Sequence, residues 1–326
     1  MDTNPGQVGQ AELAQLPTPL QFSPQLTEAW GGPRIWIKRD DLTGFGLSGN
    51  KVRKLEVHLA AARAAGADTF ITCGAVQSNH CRATAIAAAQ AGLDCILVLR
   101  SSSGGPPEVI TGNHLLQRLA GAEVRFIDRP AWARRHEIMD GIADEIGADG
   151  RTGWIMPAGA SDGLGVVAFA QAMRELDVQA DEVGLGAATV WHASSSGGTT
   201  AGLALAALSS DRRWAIVGAS VGDTEPEMID TIGPLLADAG AADAPYSVID
   251  QYIGLGYGRT TDEELALQVE ATRLTGLIWD PTYTGKALYA LRREIAAGRF
   301  STDEDVVFWH TGGGFAAFAH DFSGVL

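Results

Sequence analysis

The stretch Ser48-Gly49-Asn50-Lys51-Val52-Arg53-Lys54-Leu55-Glu56 runs a glycine-bearing turn straight into a helix, with a lysine in the first helical turn. A cation there feels the positive end of the helix dipole, which disfavours the ammonium form. An amine that loses its proton easily can form a Schiff base with an aldehyde or ketone. Leu55 and Leu59, four residues apart, carry the helical face to about Ala65, and Gly66 is the stop. Ile35-Trp36-Ile37 upstream and Thr69 to Cys73 downstream read as strands, so the lysine sits inside a strand–turn–helix–strand unit.

The same alternation spreads outward in both directions. An alanine-rich helix reaches Ala91 and is closed by Gly92, and Cys95 to Leu99 is a buried-strand run. Then come a helix around Val109 to Leu119, a strand from Glu123 to Ile127, a helix from about Ala131 to Ile146 and a strand from Trp154 to Met156. Further on, helices at Val166–Leu176, Thr199–Leu208, Glu225–Ala237 and Asp262–Thr275 accompany strands at Thr189–His192 and Trp214–Val217. A last helix opens near Tyr283, and strand Val306–Trp309 closes the series. Strands separated by helices of this length need crossover connections, which predicts an α/β fold of parallel sheets with helices on both faces. With 326 residues, two domains are expected from a rough prior of ~150 residues per domain. No fixed short repeat is present, so a solenoid is excluded.

Composition narrows the function classes. The 39 acids against 24 bases leave a formal charge of −15, which argues against nucleic acid or anionic membranes as partners. An anionic ligand must be held by a local site. Cys73, Cys81 and Cys95 fit no disulfide framework and no zinc spacing, so reduced thiols, no metal and a cytoplasmic location are expected. No basic-then-apolar signal segment opens the chain, and no apolar run approaches the ~20 residues of a membrane span.

Six loops carry candidate chemistry. Gly44-Phe45-Gly46-Leu47-Ser48-Gly49 matches a dinucleotide pattern literally, but Asp40 to Thr43 separates it from its strand and no acid ends the next strand, Thr72-Cys73-Gly74. Gly49-Asn50-Lys51-Val52 also lacks the hydroxyl residue of a P-loop. Gly74-Ala75-Val76-Gln77-Ser78-Asn79-His80 joins a strand to a helix; Ser78 or Asn79 could simply cap it, yet four polar side chains exceed what one cap needs and suit a carboxylate. Ser194-Ser195-Ser196-Gly197-Gly198-Thr199-Thr200-Ala201-Gly202 opens another helix with adjacent glycines among hydroxyls and no cation, which suits a small phosphate. Tyr257 in Gly254–Gly258, Tyr283 in Asp280–Lys286, and His310-Thr311-Gly312-Gly313-Gly314 lie in loops where either packing or chemistry would explain them.

Together these segments resemble the pyridoxal-phosphate enzymes of the tryptophan-synthase-β fold (fold type II), in the branch of D-cysteine desulfhydrase and 1-aminocyclopropane-1-carboxylate deaminase. The likeness runs from Leu16-Pro17-Thr18-Pro19-Leu20 and Trp36–Asp41 to His310–Gly313, nearly the whole chain. The resemblance implies a larger cofactor domain, 1–51 and 161–326, and a smaller inserted domain, 52–160, with the site between them. Lys51 resembles the Schiff-base lysine and Asn79 the amide on the cofactor's ring oxygen. Ser78, within Gln77–His80, resembles the substrate-carboxylate site, and Ser196, Gly197, Gly198, Thr199 and Thr200 the phosphate loop. Tyr257 and Tyr283 match the two active-site tyrosines, and Thr311 the hydroxyl near the pyridine nitrogen.

The chain departs from the pattern at Ser195, Thr200 and Asp162, and most consequentially at Thr284, where cyclopropane deaminases carry glutamate. The implied activity is α,β-elimination from a small amino acid, D-cysteine to pyruvate, sulfide and ammonia, in a homodimer. Loss of sulfite from cysteate, cyclopropane ring opening, and a catalytically silent phosphate-ligand-binding protein are the other readings.

Overall fold

The computed structural model describes residues 11–326. In chain order its elements are β1 (Leu20–Phe22), α1 (Pro24–Trp30), β2 (Arg34–Lys38), α2 (Lys51–Ala64), β3 (Thr69–Ala75), α3 (Asn79–Ala91), β4 (Asp94–Arg100) and α4 (Gly112–Leu119). These are followed by β5 (Glu123–Ile127), α5 (Arg135–Ala148), β6 (Gly153–Ile155), α6 (Gly163–Val183), β7 (Ala187–Ser194) and α7 (Gly198–Ala207). The rest are β8 (Arg213–Ser220), α8 (Glu225–Asp238), β9 (Ser247–Ile249), α9 (Asp262–Thr275), α10 (Thr284–Ala296) and β10 (Asp305–Trp309).

Local signals set most boundaries. Ser78 caps α3 by accepting from Cys81 N at 3.1 Å, and Gly92 ends it in the left-handed region. Asp162 caps α6 through Gly165 N at 3.0 Å. Thr261 and Glu264 form a reciprocal capping box on α9, which Gly276 closes. The helix expected from Val109 starts instead at Gly112, and its fellow from Ala131 opens as a 3-10 turn before α5.

Two sheets result, ordered β1-β2-β10-β7-β8-β9 and β5-β4-β3-β6. Every pairing is parallel except β1 with β2, which is antiparallel. The parallel sheets expected from sequence are present, and β1 adds an antiparallel edge strand that the sequence reading did not place. Three residues are too few to show a period, and β9, equally short, was missed for the same reason.

Side-chain alternation puts helices on both faces. Along β10, Val307 and Trp309 pack with α6, α7 and α8, while Val306 and Phe308 pack with α1 and α10. In the smaller sheet, Phe70 and Leu97 join α2 and α3, whereas Ile71 and Ile96 join α5.

The strands of the smaller sheet all fall within residues 69–155 and those of the larger sheet all lie outside it. We therefore propose 52–160 as an inserted domain against 11–51 and 161–326; residues 1–10 of the expected larger domain lie outside the described residues. Helix α2 straddles the junction. Its Val52, Leu55 and Leu59 pack with the smaller sheet, while its Arg53 reaches Asp40 and Glu175 of the larger part.

Candidate active site

A cavity of about 250 Å³ lies where the carboxyl ends of β3, β4 and β7 meet the loop after β10. Its lining gathers Lys51, Ser78, Asn79, His80, Ser196, Gly197, Thr199, Tyr257, Tyr283 and Thr311. Three of the expected residues stand outside its lining. Gln77 spends its amide on Thr111 O at 3.0 Å and Asn113 N at 2.9 Å, holding the loop to the start of α4. Thr200 is fully buried between His192 Nε2 at 2.8 Å and Ser194 Oγ at 2.7 Å. Gly198 opens α7 just behind the wall.

Lys51 is the first residue of α2, and its amine has no hydrogen-bond or ion-pair partner among the described residues. Burial brings its pKa down to about 8. Desolvation thus acts in addition to the helix end inferred from sequence. Gly159, at φ 70°, lies beside it. A Cβ there would sit 2.5 Å from Ser196 Oγ and 3.3 Å from Lys51 Nζ, so only glycine leaves the room.

The start of α7 has the make-up of an anion cradle. Gly197, at φ 76°, occupies the cap position and offers no side chain, so the first-turn N–H groups have no side-chain acceptor. Ser196 Oγ pairs with Ser161 Oγ at 2.8 Å. Sequence reading placed no cation here, and the structure supplies one. Lys54 Nζ, fully buried, lies 3.0 Å from Ser161 Oγ, 3.2 Å from Gly159 O, and 2.7 Å from where a Cβ on Gly198 would be. Desolvation, then the charge of Lys51, pushes its pKa well below the ordinary value. A bound anion would reverse that pressure. The available signal was its place three residues after Lys51, on the same side of α2.

A hydrogen-bonded chain runs through the lining residue Asn79. Asn113 Nδ2 donates to Asn79 Oδ1 at 2.7 Å, and Asn79 Nδ2 donates to Asp280. The amide orientation is thereby fixed, leaving one Asn79 N–H for another acceptor. Asp280 also accepts from Thr282 N at 2.7 Å, and burial raises its pKa to about 6. His80 bonds Thr72 Oγ1 at 2.8 Å, and burial followed by the nearby lysines holds it neutral, its pKa well below the usual histidine value. The Tyr257 and Tyr283 hydroxyls are 2.6 Å apart, and burial raises both. His310 uses both ring nitrogens, on Ile278 O and Gly312 N, and stacks on Trp279, as a structural residue would.

A family profile described as pyridoxal-phosphate dependent enzyme matches residues 11–312. The chain belongs to this family. It is 38% identical to a D-cysteine desulfhydrase of Salmonella newport, over 95% of each chain. A crystal structure described as an ACC deaminase homologue superposes with a TM-score of 0.88 at 34% identity, covering 96% of this chain and 94% of that one. A fungal L-serine ammonia-lyase from Rhizomucor miehei shares the fold, with a TM-score of 0.66 at 17% identity over 92% and 94% of the two chains. The architecture is that of fold type II pyridoxal-phosphate enzymes, and the chain is a pyridoxal-phosphate-dependent lyase.

The residues present fit the cofactor. An unpartnered amine stands ready for its aldehyde, an uncapped helix start with a buried lysine for its phosphate, and a free amide N–H for its ring oxygen. Lys54→Met should accordingly weaken pyridoxal-phosphate affinity by about 10- to 100-fold, the worth of a charge-assisted contact. Equilibrium dialysis of the apoprotein measures it; unchanged affinity would remove Lys54 from the phosphate site.

Proposed function

We propose that the enzyme eliminates a β substituent from a small amino acid, with D-cysteine as the main substrate and pyruvate, ammonia and hydrogen sulfide as products. The single observation that carries this choice over ring opening is Thr284. It is fully buried, and its Oγ1 accepts from Asp280 N at 2.7 Å, so a neutral hydroxyl stands where the ring-opening relatives carry an acid. With Thr311, which lines the cavity, also neutral, neither position offers a carboxylate to a ring nitrogen.

Pyridoxal phosphate, held by Lys51, Asn79, Thr311 and the Ser196–Thr199 cradle, supplies the electron sink that acidifies the substrate's α carbon. Lys51 is placed to take the substrate's α proton, and its lowered pKa matches that task. Ser78 and the start of α3 offer donors to the substrate carboxylate. The Tyr257–Tyr283 pair stays protonated and can donate toward the departing group. Its raised pKa values keep that donor available well above neutral pH. The balance is D-cysteine plus water giving pyruvate, ammonia and hydrogen sulfide, with the sulfur leaving on the electron pair of the broken Cβ–S bond.

Pyruvate release from both enantiomers of cysteine, serine, 3-chloroalanine and cysteate tests the reading. We expect D-cysteine to give the highest kcat/KM and 1-aminocyclopropane-1-carboxylate to yield no 2-oxobutanoate. Faster turnover of the cyclopropane acid would replace elimination by ring opening, and faster sulfite release would favour the cysteate reading. Failure to bind the cofactor covalently would leave a silent phosphate-ligand-binding protein. None of the described helices is long and apolar enough to cross a membrane. The proposed homodimer, expected in the cytoplasm, would show a solution mass twice that of the chain by light scattering.

A further inference from the structure

Arg100 ends β4 in register with Ala75 of β3, beside the loop that leads to Ser78, and its side chain lines the cavity. The guanidinium carbon lies over two aromatic rings, 5.0 Å from the Trp132 centroid and 5.8 Å from that of Tyr257. Among the described residues no carboxylate lies within ion-pair distance of it, and no acceptor takes its N–H groups. Rings satisfy the faces of a guanidinium but not its in-plane donors, which remain free for an anion. The phosphate cradle cannot be that anion's place, because it is built from α7, Ser161 and Lys54. Tyr257 links the two features, since its hydroxyl is paired with Tyr283 while its ring is stacked under Arg100.

We propose that Arg100 is a specificity residue that receives the β substituent as it departs, selecting amino acids whose leaving group carries off negative charge, such as hydrosulfide or sulfite. The inference rests on the elimination reading and deepens it. As the Cβ–S bond breaks, the electron pair goes to sulfur, and the growing charge meets a fixed guanidinium instead of water. Chloride, a weakly basic leaving group, needs that help least. Asp223 lines the same cavity from the larger domain, also without an ion-pair partner, and burial raises its pKa. It could compete for Arg100 if the two domains closed, so the test must separate a leaving-group role from a cross-cleft latch.

The test compares wild type, Arg100→Met and Asp223→Asn, all cofactor-loaded so that the phosphate cradle is filled. The readouts are kcat/KM for D-cysteine, cysteate and 3-chloroalanine, and calorimetric binding of inorganic sulfate. Arg100→Met should lower kcat/KM for the better of the two sulfur substrates about 10- to 100-fold more than for 3-chloroalanine, and weaken sulfate at least about tenfold. Asp223→Asn should not reproduce that pattern. Equal losses on every substrate would overturn the proposal in favour of a general carboxylate or packing role. Matching losses in the two variants would overturn it in favour of the latch. Pyruvate from none of the substrates with wild type would sink the elimination reading itself, and sulfate binding would then decide whether Arg100 holds an anion.

Discussion

Lys51→Ala should cost at least ~10⁴-fold in turnover, the scale seen when a residue that acts at the reacting atoms is removed. The same variant should show no reduced pyridoxyl adduct at position 51 after borohydride treatment and peptide mass analysis. Both losses follow from one geometric fact. The amine at the head of α2 faces the cavity without a partner, and no other lysine lines it. Lys54 cannot substitute, because Gly159 O and Ser161 Oγ hold it at the cradle.

The pH behaviour of the wild-type apoprotein gives a second handle. With a pKa near 8, roughly a tenth of Lys51 is free amine at pH 7, against about one part in three thousand for an ordinary lysine. Covalent uptake of pyridoxal phosphate should therefore accelerate about tenfold per pH unit up to about 8 and level off above, followed by cofactor absorbance. Uptake still climbing at pH 10 would show an unperturbed lysine, and full activity in Lys51→Ala would refute the base assignment.

Arg53→Met should be the most damaging substitution away from the cavity. Its guanidinium binds Asp40 twice, Nη2 to Oδ1 at 2.8 Å and Nε to Oδ2 at 2.9 Å, and reaches Glu175 Oε2 at 3.0 Å and Thr18 Oγ1 at 2.9 Å. Lys38 joins the same group through Glu175, so two cations face two acids in a largely buried site. Removing one partner of such a network leaves a buried charge uncompensated, which costs about 3–5 kcal/mol. Urea unfolding of the apoprotein at pH 7 measures it.

The sign of the pH dependence follows from Asp40. Burial works to raise its pKa, but the Arg53 guanidinium overrides this and holds the carboxyl below its ordinary value. In wild type that contribution is present above the unfolded pKa of about 4 and is lost as pH falls through the lower folded value. In Arg53→Met the carboxyl becomes easier to protonate, so the deficit against wild type should shrink as the pH is lowered toward 4. A deficit below ~1 kcal/mol at pH 7 would mean the network is not held as drawn. Arg53 lies two residues from Lys51 on α2, which straddles the proposed domain boundary, so its loss should also loosen the seat of the proposed Schiff-base amine.

Much of this architecture could be read from the chain directly. The lysine at the head of α2, the capped start of α3, the glycine pair at α7 and the strand–helix alternation are all local patterns, written in caps, glycines and periodic apolar residues. Such signals act within a few residues and survive without knowledge of the rest. They failed where an element was too short to show a period, as at β1 and β9, and at the first residues expected for α4.

What the tertiary structure alone decided concerns partners far apart in sequence. It turned Gln77 away from the cavity toward Thr111, set Lys54 against Gly159 and Ser161, tied Asn79 to Asp280, and brought Arg100 over the rings of Trp132 and Tyr257. A residue's type states which bonds it can make. Which of them it makes depends on desolvation and on the neighbours that folding delivers, and neither is encoded within a single turn of helix or strand.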